Sequence, residues 1–476
     1  MQEIQTLTWK YSELEPQDVV GRGRRGREKK SIISKSIFLM KGMDGLDSLQ
    51  SKKLTGNIQA HLFPTKKFKT VLITVFIQQA LEKDSAAKTA LLPAVLERGT
   101  SNYPTFMDLK RELEMLYGAS LGSDVVKKGE RQVVSFSLEV VHDRFTPGEQ
   151  LFKEGLSILK SVLTDPLLDN GSFKQEYVEQ EKDQLRKEIE GLINDKVSYA
   201  LERCVQEMCK QERYGIYKYG DAETLKVVSP RELYSYYQEL FRRSPVDVFV
   251  VGDFEPEEAF RLLEQSLVFS RSSTSSSLPF IEQNHFRKEP LQHVEKLPVN
   301  QAKLTLGYRV NTVYQDEDYP AMMFYNGILG GFPHSKLFQN VREKASLAYY
   351  AFSRLDKLKG IQLIGSGIEV DNYQKALDII QEQVDSLKQG KITSDELENT
   401  RRGLINQLKV IADSPFALVN YFLDALVGQR RGNVEDLIGE IERVQAKDVV
   451  EAAQKVSLDT IYFLRPVNGE GGRNNS

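Results

Sequence analysis

The same order of strand-like and helix-like segments occurs twice along this chain of 476 residues. In the first half, apolar β-branched stretches at residues 69–78, 132–141 and 246–254 accompany a long, polar-faced helical stretch at 172–191. In the second half, AKLTLGYRV, GIQLIGSGIEV, TSDELENTRRGLINQL and TIYFLRP follow in the same order, displaced by roughly 210 to 230 residues. This repeat predicts an α+β fold that contains a duplicated domain.

A Ser-rich segment that begins SRSSTSSS separates the two halves. Because such a composition cannot bury a core, we interpret residues 269–294 as a linker between domains. The first domain is then expected at 54–268 and the second at 295–468. The remaining ends are predicted to be a flexible N-terminal extension at 1–53 and a tail at 469–476.

The charge and cysteine content exclude several classes of protein. A net charge of −3 gives no long-range attraction to nucleic acid or to anionic lipid. The two cysteines, Cys204 and Cys209, point away from each other on a helix, so neither a disulfide framework nor a cysteine zinc site is expected. No apolar run approaches the roughly 20 residues that span a bilayer. We therefore expect a cytoplasmic protein without stable membrane insertion and without a nucleic-acid partner.

Three short segments carry a resemblance to a known family. They are KTALLPAVLERGT at 88–100, EQEKDQLRKEI at 179–189 and YNGILGGFPHSKLFQNVREKASLAYY at 325–350. With the order of elements, they resemble the pitrilysin/insulinase (M16) family of zinc peptidases over about residues 54–466. The resemblance implies two homologous domains of mixed or antiparallel sheet covered by helices (LuxS/MPP-like), in a clamshell arrangement.

The zinc motif of that family, His-x-x-Glu-His, falls on Ala90, Pro93 and Ala94 in this sequence. Zinc needs about three protein ligands with lone pairs, and alanine and proline side chains offer none. The five histidines of the chain cannot replace the motif locally, because no two stand three or four residues apart. We therefore expect no catalytic residue in this segment and no cofactor.

Pro93 also leaves two alternatives for the helix that contains it. A helix that begins near Ser85 would lose the hydrogen bond to the Thr89 carbonyl, whereas a helix that begins near Leu92 would not. In either case the segment is expected to pack through Leu91, Leu92, Val95 and Leu96.

Glu181 and Glu188 lie seven residues apart on one face of the long helix. The resemblance places Glu188 at the remaining zinc-ligand position and Glu181 at a supporting carboxylate. A single carboxylate pair cannot hold catalytic zinc tightly, so we interpret the pair as vestigial. The alternative is an ordinary solvated helix face that also includes Glu179.

The resemblance assigns substrate contacts to Arg342 and Tyr349 in the second half. A guanidinium can hold a peptide carbonyl or carboxylate, and a phenol can donate a hydrogen bond to an oxyanion. The alternative is that Arg342 pairs with a nearby carboxylate and that Tyr349 packs between helix and strand. The sequence leaves both interpretations open.

Among members of the family, the chain looks most like a bacterial, non-catalytic branch of the YmfF/YfmF type. That resemblance implies a polypeptide-binding or regulatory subunit that forms a heteromer with a zinc-motif-bearing M16 paralogue. In some bacteria this branch is associated with 5-aminopentanol modification of elongation factor P. Two alternatives remain: a metallopeptidase whose zinc is bound by Glu188 with distant or partner-supplied ligands, and a purely structural scaffold.

Overall fold

The computed structural model describes residues 49–55, 58–267, 276–280 and 287–467. The predicted tail lies outside these residues, as do most of the predicted N-terminal extension and parts of the predicted linker. Strands are present at Gln50–Lys53 and from Leu291 onward. Each of these two strands therefore includes residues that lie before the boundaries predicted at 54 and 295.

The first half is built on a six-stranded sheet with the order β1-β2-β8-β3-β5-β4. All neighbours are antiparallel except β2 and β8, which are parallel. A separate short hairpin is formed by β6 and β7. The strands are β1 (Gln50–Lys53), β2 (Ile58–Pro64), β3 (Thr70–Ala80), β4 (Ser120–Lys128), β5 (Arg131–Val141), β6 (Leu168–Asp169), β7 (Ser172–Phe173) and β8 (Val246–Gly252).

Eight α-helices belong to the described part of the first half. Several begin with a recognisable cap: the Asp195 side chain accepts hydrogen bonds from the first turn of α5, and Ser229 caps α7. The helices are α1 (Lys83–Glu97), α2 (Phe106–Met115), α3 (Leu151–Thr164), α4 (Gln175–Gly191), α5 (Lys196–Met208), α6 (Ala222–Lys226), α7 (Pro230–Arg243) and α8 (Pro256–Ser266).

The second half is built on a five-stranded sheet with the order β11-β12-β10-β13-β9. Its strands are β9 (Leu291–Leu297), β10 (Ala302–Arg309), β11 (Ala348–Asp356), β12 (Ile361–Ile368) and β13 (Ser457–Pro466). Its helices are α9 (Tyr319–Asn326), α10 (Tyr373–Lys388), α11 (Ser394–Ile411), α12 (Pro415–Val427), α13 (Val434–Ile441) and α14 (Ala446–Gln454). Two π-helical segments, Gly327–Gly331 and Phe338–Lys344, lie between α9 and β11.

The two sheets have the same topology, which confirms the predicted duplication. Five strands of the first half, in the order β4-β5-β3-β8-β2, correspond to β11-β12-β10-β13-β9. Each sheet has its parallel pair at the same place, β2 with β8 and β9 with β13. Within the described residues, β1 has no counterpart in the second half. The fold is therefore α+β with two homologous units, as the sequence predicted.

Equivalent helices of the two halves are exchanged across the interface. Helix α5 of the first half packs on β10, β12 and β13, and helix α12 of the second half packs on β3 and β8. The approach of α5 is close enough that a Cβ at Gly307 would meet the Met208 Sδ at 2.8 Å. Each half therefore covers one face of the other's sheet. No single helix in the described ranges is both long and apolar enough to cross a membrane; α11 and α12 meet that condition only as a pair bent by 109°.

Two equivalent hairpin turns meet at this interface and bring buried charges together. The β4–β5 turn contains Glu130, and the β11–β12 turn contains Lys359. Lys359 is fully buried and forms ion pairs with Glu130 and, at 2.6 Å, with Glu212. Arg309 also pairs with Glu212, at 2.5 Å, and with Asp459, at 3.3 Å. These buried pairs connect the two halves through charge as well as through apolar contact.

Candidate functional site

Helix α1 runs through Pro93 without a break, from Lys83 to Glu97. The alternative that the helix begins near Leu92 is therefore wrong. Ala90 and Pro93 are buried and Ala94 is half-buried, which places all three on the packed side of the helix. The predicted packing residues are all buried: Leu91, Leu92, Val95 and Leu96.

Helix α4 packs beside α1, and a salt bridge joins the two helices. The Arg98 Nη1 lies 3.3 Å from the Glu181 Oε1, and the Glu181 side chain is 15% exposed. Arg98 also hydrogen-bonds Gln180 and lies over the Tyr177 ring, 4.9 Å from its centre. Burial raises the pKa of Glu181, and the charge of Arg98 opposes this shift. The carboxylate is thus held by a cation from the first helix.

A second carboxylate, which the sequence did not suggest, lies near Glu181. The Glu97 Oε1 is buried and has no hydrogen-bond partner. Burial raises the pKa of Glu97; the nearby Ser123 hydroxyl on β4 and the charge of Lys110 oppose the shift, and the charge of Glu181 adds to it. The structure therefore places two carboxyl groups of raised pKa near each other, and one of them, Glu97, lies near Ser123 on the edge strand β4.

Glu188 lies on the exposed side of α4, near the phenol of Tyr219. Tyr219 is in the loop after α5, and its ring meets the Tyr217 ring edge-on, with centres 5.4 Å apart. Burial, followed by the charge of Glu188, raises the pKa of Tyr219. The loop comes so close to α1 that a Cβ at Gly220 (φ +70°) would lie 2.7 Å from the Ala87 amide nitrogen. The sequence contains no periodic signal for this approach.

The polar side chains described above, beside α1 and α4, are carboxylates and phenols. In the described ranges, no group of three or more His, Cys, Asp or Glu side chains has an arrangement that could hold a metal ion. The chemistry that remains is hydrogen bonding and charge: acidic and phenolic groups lie next to the edge of a sheet. Carboxylates and phenols form hydrogen bonds and charge pairs, and the side chains at the three motif positions offer no zinc ligand.

Arg342 lies in the π-helical segment Phe338–Lys344, and its side chain is 43% exposed. It pairs with Glu343 at 3.6 Å, and its guanidinium lies over the Phe338 ring, 4.4 Å from the ring centre. A π-helical turn in this position is a feature that often accompanies functional sites. Ser346, a few residues later, has a positive φ of 50°, which non-glycine residues adopt rarely.

Tyr349 is 74% exposed, so the alternative that it packs between helix and strand is wrong. It lies on the edge strand β11 at an irregularity, where Tyr349 and Tyr350 both stand opposite Gly367. Tyr350 takes the packed position, because a Cβ at Gly367 would lie 2.6 Å from its ring. The bulge therefore turns Tyr349 toward the solvent.

The chain matches the peptidase M16 inactive domain family over residues 228–404. A Bacillus subtilis (strain 168) protein described as "Probable inactive metalloprotease YmfF" is 36% identical to it over 90% of this chain and 100% of that protein. A second protein of that strain, described as "Uncharacterized zinc protease YmxG", is 25% identical over 65% of this chain and 75% of its own length.

Solved structures agree in fold over most of the chain. A conserved protein from Enterococcus faecalis V583 superimposes with a TM-score of 0.83 and 32% identity, over 90% of this chain and 100% of that one. A protease from Helicobacter pylori superimposes with a TM-score of 0.74 and 16% identity, again over 90% and 100% of the two chains. The chain therefore belongs to the M16 (pitrilysin/insulinase) metallopeptidase family, as a homologue of its probable inactive, YmfF-type members.

Proposed function

We propose that the chain is a non-catalytic polypeptide-binding or regulatory subunit that acts beside an active, zinc-motif-bearing paralogue. One observation carries the proposal: the positions of the zinc motif are Ala90, Pro93 and Ala94 and pack into a core, whereas Tyr349 of the other half is 74% exposed. A tyrosine ring gains free energy when it is buried, and an exposed ring gains this energy only when a partner or substrate covers it. The pattern supports binding rather than hydrolysis by this chain alone.

The free edge of β4 is the proposed place for an extended polypeptide. A two-residue turn connects β4 to β5, and Lys128 and Arg131 are the last paired residues before the turn. Because the residues of an antiparallel strand alternate between facing the partner strand and facing away, Ser123 presents its N–H to the open edge. The ladder between β4 and β5 is regular from Ser120 to Lys128, whereas edge strand β11 is bulged at its start. A regular edge favours the addition of a further strand.

The partner is proposed to complete the clamshell. Within this chain, α5 packs on the sheet of the second half and α12 on the sheet of the first, and we propose that a second chain encloses the substrate. A zinc-motif paralogue would supply the metal, and this chain would supply the β4 edge together with Arg342 and Tyr349. The similarity to the described zinc protease YmxG supports a partner of that class.

The most specific version of this proposal is a cytoplasmic role in 5-aminopentanol modification of elongation factor P. It rests on the resemblance to the YmfF/YfmF branch, and no residue described above performs amine or aldehyde chemistry. The test is the intact mass of elongation factor P purified from a strain that lacks the gene. An unchanged modification mass would remove this role and leave the binding function to be tested separately.

The polypeptide site is tested with two changes at one position. Ser123→Pro removes the outward N–H without breaking a bond to β5, and Ser123→Ala keeps the N–H and removes only the hydroxyl group. We expect Ser123→Pro to abolish the binding of fluorescein-labelled casein, measured by fluorescence anisotropy, while Ser123→Ala retains it. Equal binding by both variants would contradict strand addition at β4.

The partner is tested by affinity purification of the tagged chain from its own cells, followed by native mass spectrometry. We expect a metal-free chain in complex with a zinc-containing homologue. In that complex, Arg342→Ala with Tyr349→Ala should weaken the binding of labelled casein, whereas Tyr117→Ala, a change at another exposed tyrosine (56% exposed), should not. Stoichiometric zinc on the isolated chain would contradict the proposal. Full biological activity of the double variant in cells would favour a purely structural scaffold.

A further inference from the structure

A chain of hydrogen bonds joins a serine, a histidine and an aspartate on three adjacent strands of the first sheet. The Ser51 Oγ lies 2.8 Å from the His61 Nδ1, and the His61 Nε2 lies 2.9 Å from the Asp247 Oδ1. The three residues come from β1, β2 and β8, which are neighbours in the sheet. They lie in the first half, and the function proposed above uses none of them.

The histidine and the aspartate are buried, and the serine lies at the margin of the sheet. His61 is 5% exposed and Asp247 is 4% exposed, whereas Ser51 is partly exposed. The imidazole ring of His61 is stacked on the Phe249 ring, with centres 4.5 Å apart, which fixes its plane. A buried, oriented imidazole behind an accessible hydroxyl is the arrangement in which a serine can act as a nucleophile.

The aspartate is itself held in place. The Gln78 Nε2 donates to the Asp247 Oδ2 at 2.7 Å, and the Arg131 Nη1 donates to the Gln78 Oε1 at 3.0 Å. Because an ionised carboxylate only accepts hydrogen bonds, we assign the proton of the neutral His61 ring to Nε2, which leaves Nδ1 as the acceptor for the Ser51 hydroxyl. This is the tautomer that a general base requires.

The backbone of the serine faces the open edge of the sheet. The Leu54 N–H donates to the Ile58 carbonyl at 2.8 Å, and the register pairs Ser51 with His61. Counting back from Leu54, every second residue of β1 points its backbone N–H toward β2. The Ser51 N–H belongs to the other set and points away from β2. Within the described strands, none pairs with β1 on that side. The Ser51 N–H is therefore a donor for an oxyanion next to its own Oγ.

We propose that Ser51, His61 and Asp247 form an acyl-transfer site that takes small esters. The Ser51 Oγ attacks the ester carbonyl carbon, His61 Nδ1 accepts the hydroxyl proton, and the Ser51 N–H donates to the oxyanion. The C–O bond to the alcohol then breaks, and the alcohol leaves with the proton from His61. Water, deprotonated by His61, releases the acid and restores the Ser51 hydroxyl. Asp247 acts as a positioning residue.

The test uses the full chain and a biotinylated fluorophosphonate, with which Oγ forms a bond to phosphorus while fluoride leaves. We expect one adduct, located on Ser51 by tandem mass spectrometry. Ser51→Ala should abolish labelling, and His61→Gln should slow it by about 100-fold or more. Ser172→Ala is the matched control, because that partly exposed hydroxyl donates only to backbone carbonyls among its described bonds, and it should label normally.

A second measurement keeps the proposal open to refutation if His61→Gln does not fold. Asp247→Asn preserves the shape of the cluster and should reduce both labelling and the hydrolysis of p-nitrophenyl acetate. No adduct on the wild-type chain, an adduct on another residue, or equal labelling of Ser51→Ala would each overturn the proposal. The hydrogen bonds would then serve only to satisfy the buried His61.

Discussion

The buried lysine between the two hairpin turns gives the sharpest prediction about stability. Lys359 is 0% exposed and forms ion pairs with Glu130 and Glu212. Lys359→Met keeps most of the side-chain volume but removes the charge. Removing one partner of a buried ion pair costs about 3–5 kcal/mol. Glu212 keeps Arg309 as a partner at 2.5 Å, so we expect a loss at the lower end of this range, about 3 kcal/mol.

A matched double variant separates two costs of the single change. One is the loss of the ion pair itself, and the other is the burial of a carboxylate without the Lys359 charge. Lys359→Met with Glu130→Leu removes the carboxylate that the single change leaves behind, and a buried pair replaced by apolar groups is often neutral or stabilising. We expect the double variant to recover most of the loss. The assay is equilibrium unfolding in urea with linear extrapolation to water. A single variant that loses under about 1 kcal/mol, or a double variant no more stable than the single, would refute the reasoning.

The same interface predicts how stability depends on pH. Burial would raise the pKa of Glu212, but hydrogen bonds from Arg309 and Lys359 outweigh it and the pKa is lowered. Its contribution is therefore present above the unfolded value of about 4.3 and lost as pH falls through the lower folded value. Burial would lower the pKa of Lys359, but the two glutamates raise it, so its contribution is lost only above about pH 10. Thermal unfolding temperatures below pH 4 should fall more steeply for wild type than for the double variant.

Two further predictions concern the interface and the emptied motif. Phe422 on α12 is 5% exposed and contacts aromatic rings of the first half. We expect Phe422→Ala to lower the free energy of unfolding in urea by about 3–5 kcal/mol. A loss under about 1 kcal/mol would contradict the exchanged packing. The triple change Ala90→His, Pro93→Glu and Ala94→His should create zinc binding, measured by metal analysis after dialysis. A further Glu188→Gln change should remove that zinc if the alignment of α4 is right.

The sequence by itself determined the local elements and their duplication. The stretch predicted as a strand at 69–78 is Thr70–Ala80, and the one predicted at 132–141 is Arg131–Val141. The spacing of apolar side chains predicts such segments because side chains return to the same face of a strand or helix at a regular interval. The loss of lone pairs at Ala90 and Ala94 could likewise be stated from residue type alone, since no fold can supply a side chain that is absent.

Only the tertiary structure decided which distant residues meet. The exchange of α5 and α12, the burial of Lys359 between two glutamates, and the hydrogen bond between His61 and Asp247 all join residues far apart along the chain. Periodicity carries no information about such contacts, because it describes one segment at a time. Tyr349 could have been packed or exposed on the sequence evidence, and a bulge opposite Gly367 made it exposed. The physical reason is that the partners of a side chain are set by how sheets and helices pack against one another, not by its neighbours in sequence.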